Sequence, residues 1–364
     1  MKVLALASYP VEAAATRYRL YQFVEPLAAR GISLTIRPFL DSASFERIYR
    51  PREIVQTALG LSVSSLRRLG DVLRAREADV LLVQREAMTL GPPVVEWMAN
   101  KVVRCPMVLD LDDATYISYT SPTYGRLGKT LKWFGKTDDL IRWSQVVTCG
   151  NRVIAEYVAG KGTQARIIPT VVDTDVFRPA NADRDHSKVI MGWVGTHSTY
   201  PFLKSIFPVL QKLAADYPFR LKVVGAGTDD IRIPGVEVEN LQWSLGRETS
   251  DFQSFDIGLY PIDSASYGNE WTMGKSCFKA IQYMAVGVPY VVSPVGVCAE
   301  IGEAGVTHLA AGSPDEWYEA LRTLLQNREQ RQRMGSAGRQ YALKHYNVSD
   351  QADKLAQALR EAVN

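Results

Sequence analysis

Short apolar runs alternate with longer stretches of mixed apolar and polar positions along most of the chain. Val3–Ala7 is the first such run. A helical pattern over Arg17–Arg30 follows, closed by Gly31 at the place where a helix end favours glycine. Further apolar runs at Ser33–Pro38, Asp79–Val83, Met107–Leu111, Val146–Thr148 and Ala165–Ile168 predict strands. Such runs, separated by helices, predict a parallel sheet covered on both faces. A second series starts at Val189–Val194. It continues with a helix over Tyr200–Tyr217 and strands at Phe219–Val224, Val236–Leu241 and Phe255–Pro261. A helix over Lys275–Ala285 and a strand at Tyr290–Val292 complete it. From Pro314 onward the pattern is helical, and the last helix, Asp350–Val363, is expected to cross back to the first domain.

Between the two series lie Val172–Pro179 and a run from Ala180 to Lys188 that is rich in charge and poor in apolar residues. That composition suits a linker. Two similar α/β halves in tandem predict two facing Rossmann-like domains with a cleft between them. The first is expected over residues 1–179 together with helix 350–364, the second over 180–349. The length of 364 residues and an apolar fraction of 46% fit two globular domains, each with its own core.

Charge and cysteine content narrow the class. Net charge is only +3, and the surplus of basic residues lies in the first half. That allows an anionic partner such as a membrane surface, or simply an ordinary surface. Cys105, Cys149, Cys277 and Cys298 show no paired metal-ligand spacing, and four scattered cysteines suit a reducing cytoplasm better than a disulfide framework. Met1–Pro10 resembles a signal peptide, but its apolar core is short and runs into Tyr9 and Pro10, so it reads as a strand and a loop. Ala280–Ala299 is uncharged, yet Gly287, Pro289, Pro294 and Gly296 divide it into a helix end, a turn and a buried strand.

Three segments carry candidate chemistry. In Gly274-Lys275-Ser276-Cys277-Phe278-Lys279, a glycine-containing loop opens a helix. A helix start offers unpaired N–H groups and a positive dipole end to an anion. Lys275 and Lys279, one turn apart, can face a diphosphate there, or form a solvated face. Asp110-Leu111-Asp112-Asp113 ends a strand. Its carboxylates can orient or deprotonate a hydroxyl in a cleft, cap a helix or form a buried salt bridge, or hold a divalent metal as a D-x-D motif. Arg17, in the Ser8–Arg19 loop, can meet a phosphate or sit on the surface. No G-x-G-x-x-G follows a strand, which argues against a nicotinamide dehydrogenase. A segment over Ala114–Thr137 carries Arg126, Lys129, Lys132 and Lys136 with Leu131, Trp133 and Phe134, and no acid before Asp138 after its opening turn. That pattern suits an anionic membrane interface or a solvated face. No nucleic-acid module is evident.

The run Gly274–Val292 resembles the donor-binding signature of family 4 glycosyltransferases, which have the GT-B fold. Met191–Thr199 is similar to that family's opening of the second domain, Ile168–Pro179 to its interdomain crossing, and Val108–Ala114 to its first-domain cleft strand. The resemblance implies transfer of a sugar from a nucleotide-sugar, with retention and without a metal or other cofactor. It implies a donor site of Gly195, Thr196, His197, Glu270, Trp271, Gly274, Lys275, Ser276, Cys277, Phe278, Lys279 and Gln282. It places Asp112 at the acceptor as the catalytic group, with Arg17, Asp110 and Asp113 near it. The implied acceptor is a saccharide or lipid-linked sugar in bacterial envelope synthesis, which puts the protein in the cytoplasm or on the inner face of the membrane. Two glutamates common in the family are replaced by Gly274 and Gln282, and Thr196 stands where many members have arginine. Those departures keep two alternatives open: a nucleotide-sugar-binding protein without transferase activity, and a nucleotide-sugar epimerase. A metal-dependent single-domain GT-A enzyme is a third.

Overall fold

The computed structural model describes residues 1–48, 50–118, 125–180, 188–263 and 269–363. The chain forms two compact units: Met1–Thr170 with Val348–Asn364, and Val171–Asn347. Most of the run expected as a linker, residues 181–187, lies outside the described residues.

The first unit holds six parallel strands: β1 (Lys2–Ala7), β2 (Ser33–Pro38), β3 (Val80–Gln84), β4 (Met107–Leu111), β5 (Val146–Cys149) and β6 (Gln164–Ile167). Their order is β2-β1-β3-β4-β5-β6. The middle strands β3 and β4 are buried at every position, whereas the edge strand β6 has none buried. Their apolar runs follow from helices on both faces. The expected single helix over Arg17–Arg30 is in fact two, Ala14–Arg19 and Val24–Ala28, joined by a 3-10 turn at Tyr21–Phe23. Leu20 leaves helical geometry between them. A 21-residue helix that the strand pattern does not announce spans Ile54–Arg74. The final helix, Val348–Glu361, returns to this unit and packs on β5 and on Val24–Ala28. Arg30 ties it down through Asp353 (2.6 Å) and the Ser349 carbonyl (3.0 Å).

The second unit repeats the design with β7 (Val189–Val194), β8 (Phe219–Val224), β9 (Glu237–Leu241), β10 (Ile257–Tyr260), β11 (Tyr290–Val292) and β12 (His308–Ala310), in the order β12-β11-β10-β7-β8-β9. The short β12 is absent from the sequence reading. The helix expected over Tyr200–Tyr217 breaks at Ile206 into Tyr200–Ser205 and Phe207–Asp216, with Pro208 in the first turn of the second piece. Proline lacks the N–H that would continue the earlier helix.

Two glycines sit side by side at the centre of this sheet. Gly192 of β7 and Gly258 of β10 are register partners. Phe255 occupies the space where a Gly192 side chain would lie, and the Tyr283 ring the space at Gly258. The buried Tyr283 hydroxyl donates to the carbonyls of Gly192 and Leu259, both at 3.1 Å. The helix Phe278–Ala285 that carries Tyr283 is thereby pinned over β7 and β10. At its far end Gly287 turns through φ +69°, and Gly335 of the Arg328–His345 helix packs against its carbonyl.

A methyl group at Gly258 would lie 2.6 Å from the Tyr283 ring. Gly258→Ala is therefore expected to destabilise the protein by about 1–3 kcal/mol in urea unfolding, the usual cost of overpacking. Gly246→Ala, where a side chain would meet nothing, serves as the control. Equal stability of the two variants would contradict the pinning described.

Candidate functional site

In an open parallel sheet, ligands gather beyond the strand C-termini where the strand order reverses. In the second unit that point lies between β7 and β10. Three segments meet there or beside it. After β7, Gly195–Thr199 turns into the Tyr200–Ser205 helix, and the Thr199 hydroxyl accepts from the Thr196 N–H at 3.0 Å. After β8, Gly225 and Gly227 take φ of +81° and +71°. A Cβ on Gly225 would lie 2.5 Å from the Gly195 carbonyl oxygen, and one on Gly227 2.7 Å from the His197 Cβ. Glycine is required for that approach. Desolvation lowers the His197 pKa, which keeps its imidazole neutral at neutral pH.

The third segment is the loop before the pinned helix. The helix starts at Phe278, not at Lys275 as its sequence suggests. Cys277 adopts a left-handed φ of +49°, which ends helical geometry just before it. Cys277 and Cys298 are joined as a disulfide, with Cα atoms 5.3 Å apart, which corrects the expectation of four free thiols. The sequence separation of 21 residues hid their proximity. Gly296, at φ +55°, lets the 3-10 turn Gly296–Ala299, which carries Cys298, approach the Met273 backbone, where a Cβ would meet the carbonyl at 2.6 Å. The loop is thus held from behind at two points.

Among the described residues, no side chain caps the Phe278–Ala285 helix. Its first N–H groups have no partner within the helix, as at any helix start. The Lys275 ammonium lies 4.0 Å from the centre of the Trp271 ring and 5.6 Å from that of Phe202. These aromatic contacts hold it beside the loop. Lys279 reaches the Gln282 Oε1 at 3.4 Å. Gln282 is fully buried, and its amide donates to Glu248 at 3.5 Å. The structure therefore gathers Gly274, Lys275, Ser276, Cys277, Phe278 and Lys279 into one loop and helix start. Glu270 and Trp271 lie in the adjoining short helix Asn269–Met273, with Glu270 exposed. Gln282 faces inward from that group.

In the first unit the order reverses between β1 and β3. Arg85 follows β3 with φ +62°, and its side chain grips Asp112 with two parallel bonds, Nε to Oδ1 at 2.5 Å and Nη2 to Oδ2 at 2.6 Å. Nη2 also reaches Asp113 at 3.0 Å. Asp110 is buried and paired with Arg19, and accepts from the Thr148 hydroxyl at 2.6 Å. Burial alone would raise the Asp112 pKa. The Arg85 guanidinium outweighs it and holds the carboxyl below its ordinary range. Of the roles the sequence left open for this motif, the geometry is that of buried salt bridges. The carboxylates of Asp110 and Asp112 turn to two different guanidinium groups, and not to a common point. Arg17 bonds to the carbonyls of Val11 (2.8 Å) and Glu12 (3.1 Å), so it braces the loop after β1.

Sequence reading missed Arg19, Arg85 and Glu248. Arg85 had a signal, the polar triplet Gln84-Arg85-Glu86 at the end of an apolar run. Arg19 and Glu248 had none, because their partners are 91 and 34 residues away. One expectation needs correcting. Lys136, counted among interfacial lysines, is buried and pairs with Glu86 at 2.7 Å, and Lys132 pairs with the same carboxylate at 3.0 Å.

Residues 209–357 match the family described as glycosyl transferase-like. No curated protein matches the sequence. Several solved structures share the fold across the whole chain. A glycosyltransferase from Rickettsia africae has a TM-score of 0.70 at 11% identity, covering 100% of this chain and 98% of its own. HepE of Anabaena, in complex with UDP-glucose, has a TM-score of 0.69 at 14% identity, covering 99% of both chains. Sucrose-phosphate synthase of Thermosynechococcus elongatus has a TM-score of 0.65 at 13% identity, covering 99% and 98%. The fold is the GT-B fold, as the sequence resemblance implied.

Arg85→Gln would leave the Asp112 carboxylate buried without its partner. A loss of at least about 2 kcal/mol at neutral pH is expected. A carboxyl whose folded pKa is depressed stabilises the fold above its unfolded value of about 3.9 and loses that contribution as pH falls through the folded value. In the variant, burial without Arg85 raises that carboxyl, so the gap should be full only at pH above the variant's raised folded value and should narrow as pH falls from there through the depressed wild-type value. Unfolding curves across that range check this, and a gap that is absent or constant with pH would refute the pairing.

Proposed function

We propose that this protein is a glycosyltransferase that moves a sugar from a nucleotide diphosphate sugar to a saccharide or lipid-linked acceptor. The observation that carries the reading is the start of the Phe278–Ala285 helix behind a glycine-containing loop, with Lys275 and Lys279 beside it. Backbone N–H groups, a helix dipole end and two ammonium groups together suit a diphosphate. The family match over residues 209–357 includes this segment. The HepE complex with UDP-glucose makes uridine the first base to test.

In this reading the second unit holds the donor. Lys275, Lys279 and the first helix N–H groups take up the charge that develops on the departing diphosphate. Their effect is larger in the transition state than in the bound donor, which is the condition for acceleration. The transfer is assigned as retaining and independent of metal, in the manner of family 4. Gly195, Thr196 and His197 border the donor, and Glu270 and Trp271 border its sugar. Asp112 acts on the acceptor side by holding Arg85 in place, since both its oxygens are engaged. Acceptor binding belongs to the first unit. We assign the protein to bacterial envelope polysaccharide synthesis, at the inner face of an anionic membrane.

One observation favours a second reading, a nucleotide-sugar-binding protein without transfer. Gln282, at the position of a family glutamate, is buried against Glu248. Donor turnover separates the two.

UDP or UDP-glucose is expected to raise the melting temperature equally with divalent metal and with chelator, through linkage to the folded state. Lys275→Ala and Lys279→Ala should each weaken UDP binding by about tenfold, the value of one charge-assisted bond. A selective shift with slow hydrolysis or transfer of the sugar supports the enzyme. A shift with no turnover across a broad acceptor panel supports the binding protein. No shift from any nucleotide removes the donor site altogether.

A further inference from the structure

The Ile54–Arg74 helix is amphipathic in the opposite sense from an ordinary surface helix. Its inward face carries Thr57, Ser64, Arg68, Asp71 and Val72, all buried, and only Val72 of these is apolar. Its outward face carries Val55, Leu59, Val63, Leu66, Leu69 and Leu73, all exposed, with Leu66 at 70% and Val55 at 66%. The helical repeat brings these positions into one stripe about 27 Å long. A continuous apolar strip of this length is uncommon on a surface that faces only water. On the inward face, Arg68 ties the helix to itself and to β1 and β2. Arg68 bonds to Asp71 (3.0 Å) and to the carbonyls of Arg37 (2.9 Å) and Ala7 (2.8 Å). The helix is therefore held by these polar contacts together with Val72, which packs in the apolar core, and most of its apolar residues are left outward.

The surroundings of the stripe are basic and aromatic. Asp71 is shared among Arg37, Arg68 and Arg74, so one carboxylate serves three guanidinium groups and leaves a positive excess. Arg52, Arg67 and Arg76 are also exposed on or next to this helix. The neighbouring Val94–Trp97 helix, which contacts it, exposes Val94 and Trp97. Tryptophan is favoured where hydrocarbon meets headgroups. No helix among the described residues is long and apolar enough to cross a membrane.

We propose that the outward face of the Ile54–Arg74 helix lies in the surface of an anionic lipid bilayer, with the leucine stripe among the acyl chains and the arginines at the headgroups. For its biological meaning this rests on the reading above, in which the acceptor is a membrane-borne or envelope sugar. Charge decides between a bilayer and a second copy of the chain. A two-fold dimer through this face would bring the arginine flanks of both copies together. An anionic bilayer satisfies the apolar stripe and the positive flank at once.

The test is vesicle co-sedimentation of the full chain with pure phosphatidylcholine and with phosphatidylcholine containing phosphatidylglycerol, at low and high salt. Binding to the anionic vesicles is expected, weakened by salt and at least about tenfold weaker on neutral vesicles. The double variant Leu59→Glu/Leu66→Glu should lose about tenfold or more of that binding. Both positions are exposed, so its melting temperature and its response to UDP should match wild type. Leu59→Ser/Leu66→Ser gives a second variant without added charge. Absence of binding to either vesicle would overturn the proposal, as would full binding by both variants. So would a dimer in light scattering that the variants dissolve. Vesicle binding without any nucleotide response would leave the docking face standing and remove the transferase reading.

Discussion

The geometry of the second unit depends on one aromatic side chain. Tyr283 inserts its ring over Gly258 of β10, beside Phe255 over the paired Gly192 of β7, and its hydroxyl bonds a carbonyl on each strand. A larger residue at Gly258 would lift the helix from the sheet. The helix start would then no longer be held beyond the junction of β7 and β10. The loop before it is fixed by other means, the Cys277–Cys298 bond and the close approach of Gly296 to Met273. Gly287 and Gly335 do the same at the other end. Rigid placement of this kind lets the N–H groups of the helix start serve as a preorganised anion site, since the cost of orienting them is met during folding.

The two units handle charge in contrasting ways. At the β1/β3 junction each arginine meets a carboxylate: Arg19 with Asp110, Arg85 with Asp112 and Asp113. These pairs shape the loops, and Arg85 holds the Asp112 carboxyl below its ordinary range. At the β7/β10 junction the positive groups are supported mainly by aromatic rings and amides, Lys275 by Trp271 and Lys279 by Gln282 and Phe252. A ring restrains an ammonium group without neutralising it. That difference assigns anion binding to the second unit in our reading.

Much of the architecture was legible in the sequence, because buried parallel strands are apolar at nearly every position. Ser33–Pro38, Met107–Leu111, Val189–Val194 and Phe219–Val224 fall where their patterns place them. Helix ends were less legible. Nothing in the residue types says that Cys277 takes a left-handed conformation, so the helix seemed to begin three residues early. The Asp110–Asp113 motif was visible as a group, but its meaning depends on arginines supplied by other strand ends. The Ile54–Arg74 helix shows the limit of periodicity most plainly. Its pattern gives an apolar face, and the ordinary rule would bury it. The fold buries Arg68 and Asp71 instead, paired with each other, with Arg68 also bonded to the carbonyls of Arg37 and Ala7.

The central claim is that the start of the Phe278–Ala285 helix binds a nucleotide diphosphate. Hydrogen exchange of the intact protein, residue by residue, with and without UDP tests it most directly. The account predicts slowed exchange at the amides of Cys277, Phe278 and Lys279, with the exposed turn at Gly246 unchanged. Unchanged exchange at those three amides under saturating UDP, or protection only in the first unit, would contradict it.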